Sequence, residues 1–306
     1  MNPLVTNNLR GICFIIASTG CFVANDSFMK FVLADTPPQQ VLFMRGIAAC
    51  LWCLPLLVIS GHARAWRDAF NGWILLRAAF ETLAVCSFIY ALSHMPIGDV
   101  TAIFQISPLL LLVGGSIIWH ERIGAVRYGL IAVGLGGAVL IAQPGSATAS
   151  PYAIFAFGCA VFGAGRDLAA RKIPHNIPVL VATFTTLVSV MTAAGIGSFL
   201  FETWSQPSSQ NILMMLTAGF LLIGGHTFMF LSFRFAMPAV LAPFYYFFTL
   251  WAVLSAIFVF GDLPNWLSVA GMILIVASGL LSIAWDRRQR LAAKKSGAAI
   301  TPPLIN

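Results

Sequence analysis

The sequence predicts an all-α membrane protein in which ten transmembrane helices form two inverted five-helix repeats around a central cavity. Three observations lead there. Hydrophobic residues make up 59% of the chain and charged residues 9%, with mean hydropathy +0.90, whereas soluble domains carry about 25% charged residues. Ten apolar runs approach or exceed the roughly 20 residues that cross a hydrocarbon core. The basic residues also gather in alternate gaps between those runs.

The runs fall at 9–31, 38–60, 70–93, 97–119, 124–143, 151–172, 177–200, 211–235, 238–260 and 265–285. The first follows a single Arg and leads to no small-residue cleavage site with a polar mature domain, so it is expected to be retained rather than cleaved as a signal peptide. The second contains Arg45, about two turns in. The third holds Arg77, Glu81 and Tyr90, and the fourth Gln105 and Pro108. The fifth carries Gly129, Gly134 and Gly137. The sixth ends in Arg166, Asp167, Arg171 and Lys172, and the seventh has no charge. The eighth places His226 after Gly224-Gly225. The ninth holds Phe244-Tyr245-Tyr246-Phe247-Phe248 and Trp251, and the tenth Gly271 and Gly279. Gaps are mostly short and rich in Pro, Gly, Asn and Ser, as in Gln143-Pro144-Gly145-Ser146, and leave no room for a soluble domain. A β-barrel needs period-2 alternation, which Pro108-Leu109-Leu110-Leu111-Leu112-Val113 lacks.

Basic residues select the cytoplasmic side. Arg10, Arg64, Arg67, Arg77, Arg122, Arg127, Arg166, Arg171, Lys172, Arg234, Arg287, Arg288, Arg290, Lys294 and Lys295 all map to one side, leaving only Lys30 and Arg45 of the chain's 17 Lys and Arg. Both termini are therefore expected in the cytoplasm, and the short loops weakly favour a bacterial-type inner membrane. The lipid bilayer is the expected partner; with little basic surface outside it, no nucleic-acid binding is expected. All six cysteines (Cys13, Cys21, Cys50, Cys53, Cys86, Cys159) lie within apolar runs. The Cys50/Cys53 spacing has no second ligand pair, so packing is expected rather than metal or redox chemistry.

The two halves repeat weakly. A shift of 141 places Asp26/Lys30 on Asp167/Arg171, Phe14 on Phe155 and Glu121 on Asp262. A shift of 142 places Met95-Pro96 on Met237-Pro238, Gly129 on Gly271 and Gly137 on Gly279. Five helices are an odd number, so the second unit enters from the opposite side. The expected units are 1–145, the inverted 146–286, and a basic, disordered cytoplasmic tail at 287–306. Inverted repeats are the usual architecture of secondary transporters, whose two bundles expose a midplane site to either side in turn.

An acidic residue closes the fourth and ninth runs, in Trp119-His120-Glu121-Arg122 and Phe260-Gly261-Asp262. Glycine-spaced helices follow each, Tyr90-Ala91-Leu92 precedes Met95-Pro96, and Pro108 lies thirteen residues before Glu121. In these features the chain resembles the ten-helix EamA-type branch of the drug/metabolite transporter superfamily. The second repeat departs from the pattern: Thr249 stands where the matching proline belongs and Pro243 lies earlier, so the break in the ninth helix is expected to be shifted. The resemblance implies a ten-helix carrier with the ninth helix against the central cavity. It implies no cofactor and says almost nothing about the small-molecule substrate.

Charge inside a spanning helix costs roughly 2.5–3.5 kcal/mol on insertion scales, so it is usually paired or functional. Glu81 lies ten residues into the third run, about 15 Å deep, with Arg77 one turn earlier. Asp26 and Arg45 share the non-cytoplasmic end. One reading makes Arg77–Glu81 and Arg45–Asp26 structural ion pairs. The other places these residues in a water-filled cavity, binding a zwitterion's ends or moving protons. His226, a group whose charge changes near physiological pH, is either an interhelical donor or a partner facing Glu81, and Gln105 is a candidate wall residue. Tyr90, Tyr245, Tyr246 and Phe248 complete the candidate pathway. An aromatic wall suits a moderately apolar solute, and export of aromatic or hydrophobic amino acids is the narrowest expectation. Other metabolites, cationic drugs or nucleotide derivatives are the wider one, and a channel-like facilitator the alternative mechanism. The glycine ladders serve packing within the subunit or the seam of a homodimer. No Ser/His pair, His-x-x-Glu-His or paired-aspartate motif suggests an enzyme, and no P-loop suggests direct use of ATP.

Overall fold

The computed structural model describes residues 3–119, 124–143, 150–174, 176–236 and 238–296. His120, Glu121, Arg122, Pro144, Gly145, Ser146, Met237 and the segment Thr301-Pro302-Pro303 lie outside them. Every regular element described is helical. In chain order these are α1 (Pro3–Val32), α2 (Pro38–Ile59), a 3-10 segment (His62–Phe70), α3 (Gly72–His94), α4 (Ile97–Phe104), α5 (Ser107–Trp119), α6 (Ala125–Ala142), α7 (Ala153–Ala170), α8 (Val179–Phe201), α9 (Ser209–Phe235), α10 (Pro238–Leu241), a second 3-10 segment (Ala242–Tyr246), α11 (Phe247–Ser255), a π turn (Ala256–Phe260) and α12 (Trp266–Ser296). Among the described residues they supply ten stretches long and apolar enough to cross a membrane. The fourth, Ile97–Ile118, is made of α4 and α5, and the ninth, Pro243–Phe260, runs from the second 3-10 segment through α11. Large apolar side chains such as Leu51, Ile59, Ile117, Phe199, Phe201 and Phe258 point outward, as a hydrocarbon surrounding permits.

The interrupted crossings follow from proline chemistry. Pro108 has no N–H to give the carbonyl of Phe104, and its ring crowds that carbonyl, so α4 ends there. Gln105 and Ile106 form the joint, held by tightened bonds to Ala102 and Ile103 beside an ordinary helical bond to Thr101. In the ninth crossing the irregular turn falls at Pro243, earlier than the equivalent of Pro108, as the displaced proline predicts. That crossing ends on Gly261, whose φ of 71° suits glycine.

Within lipid, helices gain little from leaving an apolar solvent, so close packing through small residues drives their association. At the crossing of α6 and α12, a β-carbon on Gly137 would stand 2.7 Å from the Gly271 carbonyl oxygen, so the two backbones approach as only glycine allows. Gly134 meets Leu109, and Gly279 meets the Tyr246 hydroxyl. Gly134, Gly137, Gly271 and Gly279 are thus occupied within the chain, whereas a β-carbon on Gly129 would meet nothing within 4 Å.

The most extensive pairings are α1 with α9, α3 with α7, α6 with α12, and α2 with α8, followed by α2 with α9 and α3 with α8. Where α1 leads into α2, both oxygens of Glu202 accept the N–H groups of Gln39 and Gln40, at 2.9 and 3.0 Å. The buried Gln40 side chain bonds Ser205 in both directions. The carboxylate at the end of α8 thus caps the start of α2.

The last helix departs from the expected ending. The basic segment from Arg287, expected to be disordered, continues α12 as far as Ser296. Arg, Gln, Leu, Ala and Lys are good helix formers, and the helix entering from the membrane already supplies the nucleus.

Candidate functional site

Four helices enclose a cavity of about 60 Å³ lined by Arg45 and Gly46 of α2, Arg77, Glu81 and Val85 of α3, Thr183, Thr186, Leu187 and Val190 of α8, and Leu222 and His226 of α9. It has room for a few water molecules in this conformation. Each wall is placed by a local device. Gly46 lets α2 close on α8, because a β-carbon there would lie 2.7 Å from Met191 Cβ. At Gly225, before His226, the Phe22 ring of α1 fits against α9, and the Ser18 hydroxyl donates to the Gly225 carbonyl at 2.8 Å. The Phe22 ring then meets the His226 ring edge-on, with centroids 5.1 Å apart.

The charges pair differently from the two ion pairs the sequence offers. Glu81 Oε2 is 2.8 Å from Arg166 Nη1 on α7, and Arg166 Nε is 2.7 Å from Asp167 Oδ1. Arg77 donates through Nη1 to Thr186 Oγ1 at 2.6 Å. An Arg preceding Glu by four residues is the weaker order on a helix. Both side chains find better partners across helix interfaces. Arg166, counted by sequence among the orienting charges, is part of the interior network. Arg166-Asp167 are adjacent charges inside an apolar run, but the sequence around them does not say that they face inward. Gly165 beside them admits the Phe80 ring, which brings α7 and α3 together at this level.

Arg45 and Asp26 are near enough to interact electrostatically but form no ion pair. Arg45 is 6% exposed, and its Nε is enclosed without a hydrogen-bond partner. Asp26, 7% exposed, accepts a 2.8 Å bond from Asn25. Lys30 turns away to the Met95 carbonyl, 2.6 Å, with Asp262 at 3.8 Å.

The structure therefore brings Arg45, Arg77, Glu81 and His226 together on one cavity, adds Thr183 and Thr186, and leaves the other candidates away from it. Tyr90 packs on Phe155, with ring centroids 5.7 Å apart. Gln105 donates to the Tyr245 carbonyl at 3.3 Å, joining the breaks of the fourth and ninth crossings. Tyr245 packs in the cluster around Ile15 and Leu241, and the Tyr246 hydroxyl abuts Gly279. Phe248 reaches the site only at second hand, its ring 6.3 Å from that of Phe22. The expected aromatic wall does not border the cavity in this conformation. Val85, Leu187, Val190 and Leu222 supply its apolar surface instead.

Comparison with known proteins agrees with this architecture. Residues 9–143 match the EamA-like transporter family. The S-adenosylmethionine uptake transporter of Rickettsia prowazekii is 23% identical over 96% of this chain and 99% of its own length. The pseudopaline exporter CntI of Pseudomonas aeruginosa is 23% identical over 88% and 94%, and the riboflavin transporter of Vibrio cholerae 25% identical over 87% and 89%. A protein of known crystal structure, 18% identical, superposes with a TM-score of 0.60 over 93% of this chain and 99% of its own, which shows the shared fold. With an EamA-like match over residues 9–143, transporters matching along nearly its whole length and ten membrane-length helices among the described residues, the chain is similar to EamA-type transporters of the drug/metabolite transporter superfamily.

Proposed function

We propose that this protein is a secondary carrier of small organic metabolites that works by alternating access between two inverted five-helix repeats, residues 1–145 and 146–286. The observation that carries the reading is the cavity. It gathers two guanidinium groups, a carboxylate and an imidazole inside an otherwise apolar bundle, where such groups are expensive unless they serve a pathway. The pairing of helices supports the inverted repeats. Exchanging the first five crossings for the last five turns the α1–α9 contact into α7–α3 and the α2–α9 contact into α8–α3, and leaves α2–α8 and α6–α12 unchanged. The cavity walls, α2 with α8 and α3 with α9, are exchanged in the same way.

For the cargo we propose an amino acid with an aromatic or hydrophobic side chain, exported across an inner membrane that holds both termini in the cytoplasm. Charged groups beside Val85, Leu187, Val190 and Leu222 suit a zwitterion with an apolar side chain, and outward movement is the direction named for the pseudomonad relative. The test is counterflow in proteoliposomes preloaded in turn with Phe, Tyr, Trp, Leu, Met, Thr, S-adenosylmethionine and riboflavin. Saturable counterflow of at least one of the amino acids is expected. Counterflow of only the last two would keep the carrier and overturn the amino-acid cargo, and flux without counterflow would overturn the carrier in favour of a channel.

A further inference from the structure

The geometry points to Arg45 as the anchor for a carboxylate on the transported solute, a subsite that rests on the carrier reading above. Among the described residues, Arg45 is the charged side chain on this cavity that has neither a hydrogen bond nor an ion pair. Its guanidinium makes no hydrogen bond or ion pair among the described residues, although it is 6% exposed and its Nε has no access to water. Buried donors are nearly always satisfied, and a buried charge left alone is costly to keep. A group in this state at the wall of a cavity is waiting for an acceptor.

The neighbouring charges are engaged. Glu81 is held by Arg166, which in turn holds Asp167, and Arg77 spends one arm on Thr186. Asp26 is bonded by Asn25 and stays outside ion-pair range of Arg45. The planar guanidinium fork matches a carboxylate through two parallel hydrogen bonds, which a lysine ammonium cannot reproduce. Because Glu81 is already neutralised within the protein, no equally free anion faces the cavity to take an ammonium group. Recognition is therefore unequal: the carboxylate end is required and the amino end is dispensable.

The experiment uses the full chain in nanodiscs and follows thermal stabilisation by four probes: L-phenylalanine, L-phenylalaninamide, 3-phenylpropionate and 3-phenylpropionamide. The two carboxylates are expected to stabilise the wild type and the two amides to bind roughly tenfold more weakly or worse, the scale of a charged hydrogen bond. R45Q is expected to abolish that discrimination. R45K, which keeps the charge and protects against simple misfolding, should retain it with weaker binding. Equal binding of acids and amides to the wild type, or discrimination that survives R45Q, overturns the proposal. Carboxylate binding through Arg45 without amino-acid counterflow would sink the cargo proposed above while this subsite stands. Amino-acid counterflow with unaltered discrimination in R45Q would do the reverse.

Discussion

Glu81 on α3 and Arg166 on α7 meet at 2.8 Å, and their side chains are only 18% and 23% exposed. This pair ties the third crossing to the sixth beside the cavity. Removing one member of a buried pair strands the other, at about 3–5 kcal/mol. Glu81→Gln and Arg166→Gln should each lower thermal stability in detergent by an amount of that order. The double variant should be less destabilised than the sum of the two. Additive losses in that cycle would show that the pair contributes nothing.

Arg77 is expected to depend on Thr186. Thr186→Val removes the acceptor while keeping the shape, and should cost about 1.5–3 kcal/mol, the range for a hydrogen bond to a charged group. Thr186→Ser retains the hydroxyl and should restore most of that loss in a chemical-denaturation series.

Glycine substitutions should separate by location. Gly137→Ala forces a β-carbon against the Gly271 carbonyl and should destabilise the α6–α12 crossing by about 1–3 kcal/mol. At Gly129 nothing lies within 4 Å of a β-carbon, so Gly129→Ala should be neutral or stabilising by about 0.5–1 kcal/mol through helix propensity. Parallel melting curves of the two variants decide the matter.

Glu202 caps α2 from the end of α8. Glu202→Ala should cost about 1–2 kcal/mol and speed hydrogen exchange at the Gln39 and Gln40 amides, while exchange in the middle of α2 stays slow. Unchanged exchange at those two amides would contradict the cap.

Gln105 and Tyr245 join the two interrupted crossings. Gln105→Leu should change the maximal transport rate about fivefold, the worth of one hydrogen bond near 1 kcal/mol. The apparent affinity should not change, because Gln105 does not line the cavity. An effect confined to affinity would place Gln105 in the binding site.

Much of the architecture could be read from the chain because the bilayer acts on runs of residues, not on individual contacts. An apolar run of bilayer length is visible in any single sequence, and so is the break imposed by Pro108. Glu81 also stood out, as a charge deep in such a run. Its partner did not. Arg166 lies 85 residues away, and nothing local distinguishes a charge that orients a helix from one that turns inward. The aromatic stretch failed for a related reason: five consecutive residues cover every face of a helix, so composition cannot say which face meets the cavity. The basic end of α12 carries no apolar signal of its own, yet its residue types favour a helix once one has begun, and the helix runs to Ser296.

The small cavity has an electrical consequence. A wet chamber inside a membrane protein is a hazard to the cell, since protons or sodium ions that enter it run down the membrane potential. Here the chamber admits only a few waters, its carboxylate is already neutralised by Arg166, and the guanidinium groups of Arg45 and Arg77 face it. A cation entering would meet two guanidinium groups that make no ion pair among the described residues, as in pores that exclude protons with an arginine. In this conformation the guanidinium that awaits an anionic group also helps keep the bundle tight against leaking cations.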